Sequence, residues 1–256
     1  MMETNLGRAE GYAARHIGND LLLRRLGGLK PLNPDEIALV TSLNDKPKRH
    51  APGALICPKS DGSPYPRLIT SGWACRPRVM ADGRRQMLGV LLPGDLLGDR
   101  GEARPLKLNP AMALTPVRTV GVAKLFDAVA ATPLSYPNLA AALNKMDRIE
   151  EARLLDLIVR LGCQTAIQRI AGLLIEFYQR SSLIGFTHEG TFPMPLTQEK
   201  LGDMLGLSLV HVNRVISQLR RDKLVDIRSG IVAIHDFARL SLLADRADPT
   251  RSGQAA

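Results

Sequence analysis

At 256 residues the chain is long enough for two domains, each burying its own core, and its formal charge of +9 favours an anionic partner such as nucleic acid or acidic lipid. No run of about 20 apolar residues is present and the first segment mixes Glu3, Arg8, Glu10, Arg15 and Asp20, so neither a membrane span nor a signal peptide is expected. Three scattered cysteines, Cys57, Cys75 and Cys163, are too few for a disulfide framework and fit a reducing cytoplasm.

Residues 1–30 read as a leader that ends in a short helix around Ile17 to Leu26, with no function assigned. Asn33, Pro34 and Glu36 then supply a cap, a proline at the first helical position and a capping-box acid. They start a short helix, expected as a lid, that carries Ile37, Val40 and Leu43. From Pro47 to Leu125, within an expected effector-sensing domain of residues 31–134, the pattern becomes that of a β-roll. Gly53, Gly62, Gly72, Gly83 and Gly94 recur every nine to eleven residues between short apolar runs. Asp82 and Gly83 signal a hairpin turn. Trp73, Cys75 and Val79 alternate with Arg76 and Arg78, which predicts the first set inward and the arginines outward. Cys75 is therefore expected as packing.

Ser135 and Pro137 open a long helix to about Leu161, with Leu139, Leu143, Met146, Ile149, Leu154, Leu157 and Leu161 on one face. Such a stripe exceeds what one small domain can cover, so residues 135–162 are expected to pair with the same helix of a second subunit; a linker helix within the domain is the alternative. Gly162 is expected to break the helix. Ala166, Ile167, Ile170, Leu174 and Phe177 mark the next helix, and residues 185–195 a connecting loop or small hairpin. Residues 246–256 are polar and expected as a disordered tail.

Within residues 163–245 the stretch from Pro195 to Asp236 has the form of a winged helix-turn-helix. Thr197 caps a helix with Leu201, Met204 and Leu205; Gly206 breaks it, since glycine enters the left-handed region without steric cost. Ser208 caps a second helix whose Val212, Ile216 and Leu219 form a buried stripe. The opposite face, with Val210, Asn213, Arg214, Ser217 and Arg221, fits a recognition helix in a DNA major groove.

The glycine-punctuated roll, long helix and C-terminal helix-turn-helix, in that order, resemble the Crp/Fnr family of bacterial transcription regulators over about residues 25–245. The segments that carry the resemblance are GWACRPRVMADGRRQMLGVLLPGDLLG, LTPVRTVGVAKL and PLTQEKLGDMLGLSLVHVNRVISQLRRDKLV. It implies an α+β chain with an N-terminal jelly-roll-like β-roll sensor, a long dimerisation helix and a C-terminal winged helix-turn-helix domain. It also implies a homodimer that bends double-stranded DNA at a near-palindromic operator, with RNA polymerase as partner. The chain is expected to be cytoplasmic, and with no phosphate loop, dinucleotide fingerprint, nucleophile elbow or zinc-hydrolase motif in the sequence no enzyme is expected.

By position in the motif, Leu209, Val210, Asn213 and Arg214 fall at the family's base-reading positions. Arg214 can offer two parallel donors to guanine, and Asn213 can pair with adenine. Val210 departs from the glutamate common there, which implies a different preferred sequence. Thr197, Ser208, His211, Ser217, Gln218, Arg220, Arg221 and Arg228 are the backbone candidates, although Ser208 can serve only as a cap and the arginines as a solvated face.

The signal is less defined. Cyclic-nucleotide-binding members carry a glutamate after the PGD segment and an Arg followed by Ser or Thr. The aligned positions here, after Gly94, are Asp99, Lys107 and Leu108, an incomplete phosphate cradle, so cyclic AMP does not fit. Three dispersed cysteines cannot supply four thiolates from one subunit, and the five histidines, His16, His50, His188, His211 and His235, lack metal-ligand spacing. Cys163, read at a helix start, is expected to be a buried structural thiol. No cofactor is identified and the small-molecule effector is unknown. Two readings stay beside the regulator with an effector: a DNA binder that needs none, and a ligand-binding module that acts through a protein partner.

Overall fold

The structure is a computed structural model that describes residues 18–56, 66–83, 85–98 and 111–244. Cys57, Gly62, Asp99, Lys107, Leu108, His16 and the expected tail lie outside the described residues. The chain divides into two units, Met1–Arg78 with Gly89–Ala152, and Val79–Leu88 with Arg153–Ala256.

The short apolar runs between glycines form two four-stranded sheets, all of whose residues but Val79 and 85–88 belong to the first unit. One has the order β1 (Lys48–His50), β8 (Val117–Gly121), β3 (Arg67–Ser71), β6 (Leu96–Leu97). The other runs β2 (Leu55–Ile56), β7 (Ala111–Ala113), β4 (Ala74–Val79), β5 (Arg85–Leu91). Ile56, Ala74, Leu91, Ala111 and Ala113 from the second sheet share a buried cluster with Ile69, Leu97 and Val117 from the first. Burial of such paired inner faces is what stabilises a double-sheet roll. Trp73 and Cys75 are buried as the alternation requires, but Val79 is 62% exposed. At that end of β4 the register with β7 has already stopped, since the two strands pair only at Ala74 and Cys75. Arg67, 2% exposed, links the two inner strands β3 and β8: Nε and Nη2 donate to the Thr119 hydroxyl and carbonyl at 2.9 and 3.0 Å, and Nη1 lies 3.4 Å from Asp45.

Helices cover one side of this unit. The helix expected around Ile17 to Leu26 spans residues 18–27 (α1), and its Leu22 and Leu26 are fully buried. They pack with Val40 of α2 (Pro34–Thr41), Leu125 of α3 (Ala123–Ala131) and Leu139, Leu143 and Met146 of α4 (Pro137–Cys163). The sequence reading had no counterpart for α3.

Glu36 fixes α2 in place, so this helix is an anchor and not the expected lid. One carboxylate oxygen accepts from Asn33 N–H at 2.8 Å; the other accepts from Asn138 and Leu139 N–H at 2.7 and 3.0 Å. A single buried side chain thus satisfies free donors at the start of two helices. Burial raises the Glu36 pKa, but the donors of Asn33, Leu139 and Asn138 outweigh it and hold the carboxyl below the usual glutamate range.

Helix α4 is 27 residues long, about 40 Å at 1.5 Å per residue. It runs through Gly162 to Cys163, and the break falls at Gln164 and Thr165. One glycine lowers helix stability without ending it, whereas Thr165 starts α5 (Ala166–Leu183) with its N–H on Gln168 Oε1 at 2.8 Å. Cys163 is therefore at a helix end and exposed, not at a helix start and buried. The expected stripe also splits. Leu139, Leu143, Met146 and Leu157 are buried within the chain, while Leu154, Leu155, Ile158 and Val159 stand 50%, 58%, 66% and 52% exposed.

In the second unit Ile170, Leu174 and Phe177 of α5 are buried. Glu176 Oε2 and Oε1 meet Arg160 Nη2 and Arg180 Nη1 at 3.1 and 3.2 Å, tying the end of α4 to α5. Burial raises the Glu176 pKa, and Arg180, Arg160 and Arg153 more than reverse it, so the group is held ionised. Where a connecting loop or small hairpin is expected before Pro195, His188 bridges Thr191 and a strand follows, β9 (Thr191–Pro193), which pairs with β11 (Ile231–Ile234), itself paired with β10 (Val225–Arg228). Helices α6 (Gln198–Leu205), α7 (Leu209–Arg221) and α8 (Phe237–Leu243) complete the unit. Asp236 caps α8 through Arg239 N–H at 2.9 Å. Among the described residues no helix is long and apolar enough to cross a membrane.

Candidate nucleic-acid interface

Thr197 Oγ1 accepts from Lys200 N–H at 3.3 Å and starts α6; Gly206 ends it at φ 62°, ψ 38°. Gly202, inside α6, has a separate reason to be glycine. A Cβ there would lie 2.5 Å from the Leu207 carbonyl oxygen, so the chain leaving the turn packs against a helix face that has no side chain. Arg169 of α5 braces the same turn, with Nη1 on Leu205 O at 2.9 Å and Nε on Gln164 O at 2.8 Å.

Helix α7 follows from Ser208, whose Oγ accepts from His211 N–H at 3.3 Å. The same Oγ lies 2.8 Å from His211 Nδ1.

Val212, Val215, Ile216 and Leu219 bury one face of α7, and Val215 adds to the stripe read from the sequence. The opposite face is open. Leu209 is 51% and Val210 75% exposed, and Asn213, Arg214, Ser217, Gln218 and Arg221 are all exposed. Val210, Asn213, Arg214, Ser217 and Arg221 recur at three- and four-residue spacing and so share a stripe. At 13 residues the helix is about 20 Å long, enough to lie in a major groove.

The wing is the β10–β11 hairpin, whose two-residue turn places Ser229 and Gly230 at φ 49° and 77°, as a type I′ turn requires. Two candidate phosphate contacts are already occupied by the protein. Arg220 Nε is 3.0 Å from Asp226 Oδ1, and Arg228 Nε is 2.7 Å from Asp226 Oδ2. Among the described residues no carboxylate engages Arg214 in this way.

The sequence reading passed over Gly202, Arg169 and Asp226. A glycine in a helix interior is unfavourable unless something approaches closely, which was the available signal for Gly202. Asp226 shares a strand face with Arg228 two residues on, but its reach to Arg220 needs the fold.

The candidate effector residues are less informative. Gly94 is buried in a turn, its N–H donating to Ile69 O at 2.8 Å, so its amide is already engaged. Next to it Asp95 accepts from Leu92 N–H at 2.8 Å and faces Arg25 at 3.5 Å, both side chains nearly inaccessible. Among the described residues no group of three or more His, Cys, Asp or Glu side chains could hold a metal ion.

Residues 168–243 match the family description of a Crp-like helix-turn-helix domain. The transcriptional activator protein FnrL of Cereibacter sphaeroides is 31% identical over 198 residues, which cover 73% of this chain and 76% of FnrL. The nitrogen fixation regulation protein FixK of Bradyrhizobium diazoefficiens is 28% identical over 167 residues, or 65% of this chain and 68% of that one. Among solved structures, FixK2 from Bradyrhizobium japonicum superposes with a TM-score of 0.65 at 25% identity, covering 80% of this chain and 100% of its own. A CRP-family regulator from Thermus thermophilus shares the fold at TM-score 0.56 and 21% identity, over 78% of this chain and 97% of that one. The chain belongs to the Crp/Fnr family of transcription regulators, with a Crp-like helix-turn-helix as its DNA-binding domain.

Proposed function

We propose that this DNA-binding regulator works in the cytoplasm as a homodimer on a near-palindromic operator, with α7 of each subunit in a major groove and half-sites about one helical turn, roughly 34 Å, apart. The observation that carries the proposal is the exposed stripe of α7, capped by Ser208 and set beside the wing. Leu209, Val210, Asn213 and Arg214 read bases. Arg214 forks onto guanine O6 and N7, Asn213 onto adenine N6 and N7, and Val210 meets a thymine methyl. Thr197, Ser208, His211, Ser217, Gln218 and Arg221 contact the backbone, Ser208 from the positive end of the helix dipole. Arg220 and Arg228 do so from their Asp226-bound positions. The exposed residues Leu154, Leu155, Ile158 and Val159 of α4 supply the dimer contact. The effector is a small molecule other than cyclic AMP, and RNA polymerase is the partner at the promoter.

Selection of duplex sites by the purified protein tests this reading. An inverted repeat is expected, with affinity that falls steeply with salt as phosphate counterions are released. A flat salt response with no selected site overturns it. Repeating the selection with cyclic nucleotides and oxidants tests the effector: cyclic AMP is expected to leave the affinity unchanged.

A further inference from the structure

We propose that Asp226 is a positioning residue for DNA binding, a carboxylate that links the last turn of the recognition helix to the wing and presents Arg220 and Arg228 to adjacent phosphates as one unit. This rests on the reading of the wing as a phosphate contact.

Asp226 and Arg228 alternate with Ile227 on β10 and so project from one face of the strand. The cross-strand neighbour of Asp226 is Ala233, too small to cover the carboxylate. Its two oxygens are divided between two elements: Oδ1 takes Nε of Arg220 from α7 at 3.0 Å, and Oδ2 takes Nε of Arg228 from the wing tip at 2.7 Å. Arg220 is held a second time, Nη2 donating to Ile227 O at 3.3 Å. Both ion pairs use the Nε edge. Nη1 of Arg220 and both terminal nitrogens of Arg228 thus stay available as donors, on side chains 48% and 78% exposed.

Two long side chains that would otherwise sample many rotamers are held ready for an anion, so less freedom is lost when DNA arrives. The cluster of two guanidiniums and one carboxylate keeps a net positive charge, and the carboxylate alone would repel a phosphate. A residue with only that repulsive effect would weaken binding to all DNA alike. A residue that aligns helix and wing matters most where register is fixed, on the operator. Exposed ion pairs contribute little to folding, so the effect should appear in DNA binding and not in stability.

The experiment measures the dissociation constant of the full chain against salt concentration, on the selected operator duplex and on a random duplex of equal length. The variants are Asp226→Ala, Asp226→Asn, Asp226→Glu, Arg228→Ala and the Asp226→Ala/Arg228→Ala pair, each checked for unchanged thermal unfolding. Asp226→Ala and Asp226→Asn are expected to weaken operator binding about tenfold, to leave the random duplex unchanged or tighter, and to lower the operator salt slope by about 0.9 for each phosphate that is no longer neutralised. Asp226→Glu should recover part of the affinity, and the double variant should lose less than the sum of its single changes. If Arg228→Ala leaves the operator slope unchanged, the wing does not touch phosphate and both readings fall. If Arg228→Ala lowers the slope while Asp226→Ala and Asp226→Asn tighten both duplexes or change neither, the wing reading stands and the role of Asp226 is overturned.

Discussion

Replacing Ile158 by alanine tests the proposed dimer directly. Ile158 is 66% exposed, in a patch with Leu154, Leu155 and Val159. Full burial of such a side chain is worth roughly 1.5 to 3 kcal/mol. The exposed fractions leave about half of that per residue, hence roughly 6 to 12 kcal/mol for four residues from each of two subunits. Association itself costs about 4 to 15 kcal/mol, so the patch must be used almost fully to give a dimer. Because a two-fold contact repeats every change, Ile158→Ala removes roughly 2 to 4 kcal/mol, which weakens dimerisation by about 30- to 1,000-fold. Sedimentation equilibrium over a concentration series measures the constant, and operator binding should weaken in parallel because two half-sites need two subunits. A monomeric wild-type chain at every accessible concentration, or an unchanged constant in the variant, refutes the reasoning.

Arg214→Ala should lose about 1 to 3 kcal/mol of operator binding and less on random DNA; equal losses in a titration of both duplexes would remove its base-reading role. Glu36→Gln should destabilise the first unit by about 2 to 4 kcal/mol at neutral pH, because three backbone donors lose an ionised acceptor. The folded pKa of Glu36 is held below the ordinary glutamate value, so its contribution is complete above the ordinary glutamate range and disappears as pH falls through the lower folded value. Denaturant titrations from pH 7 downward should show the gap between wild type and Glu36→Gln closing there, and a gap independent of pH would count against the cap. Gly202→Ala, with its Cβ 2.5 Å from Leu207 O, should cost about 1 to 3 kcal/mol of stability and disturb DNA binding; an unchanged melting curve would contradict the close approach.

Local rules carried far along this chain because its helix starts are written in adjacent residues. Asn33, Thr197 and Ser208 cap as their side chains allow, and Gly206 takes the left-handed angle that ends α6. The exposed face of α7 follows from the period of Val212, Ile216 and Leu219, so Val210, Asn213 and Arg214 could be named without a fold. Periodicity was less reliable on α4 and β4. It identifies an apolar stripe but not what covers it: α1 and α2 cover the first half of α4, and Val79 at the end of β4 is 62% exposed.

The order of elements, the caps and the exposed face of α7 thus depend on residues within one or two helical turns of each other, where backbone sterics and side-chain reach are decisive. Contacts between distant segments depend on the tertiary structure. Glu36 meets Asn138 and Leu139 across more than 100 positions, and the strand β9 exists because β11 offers it an edge. Asp226 joins Arg220 to Arg228 only when the wing folds back against α7. Hydrogen bonds and ion pairs act over a few ångströms, and the fold alone brings such segments within that range.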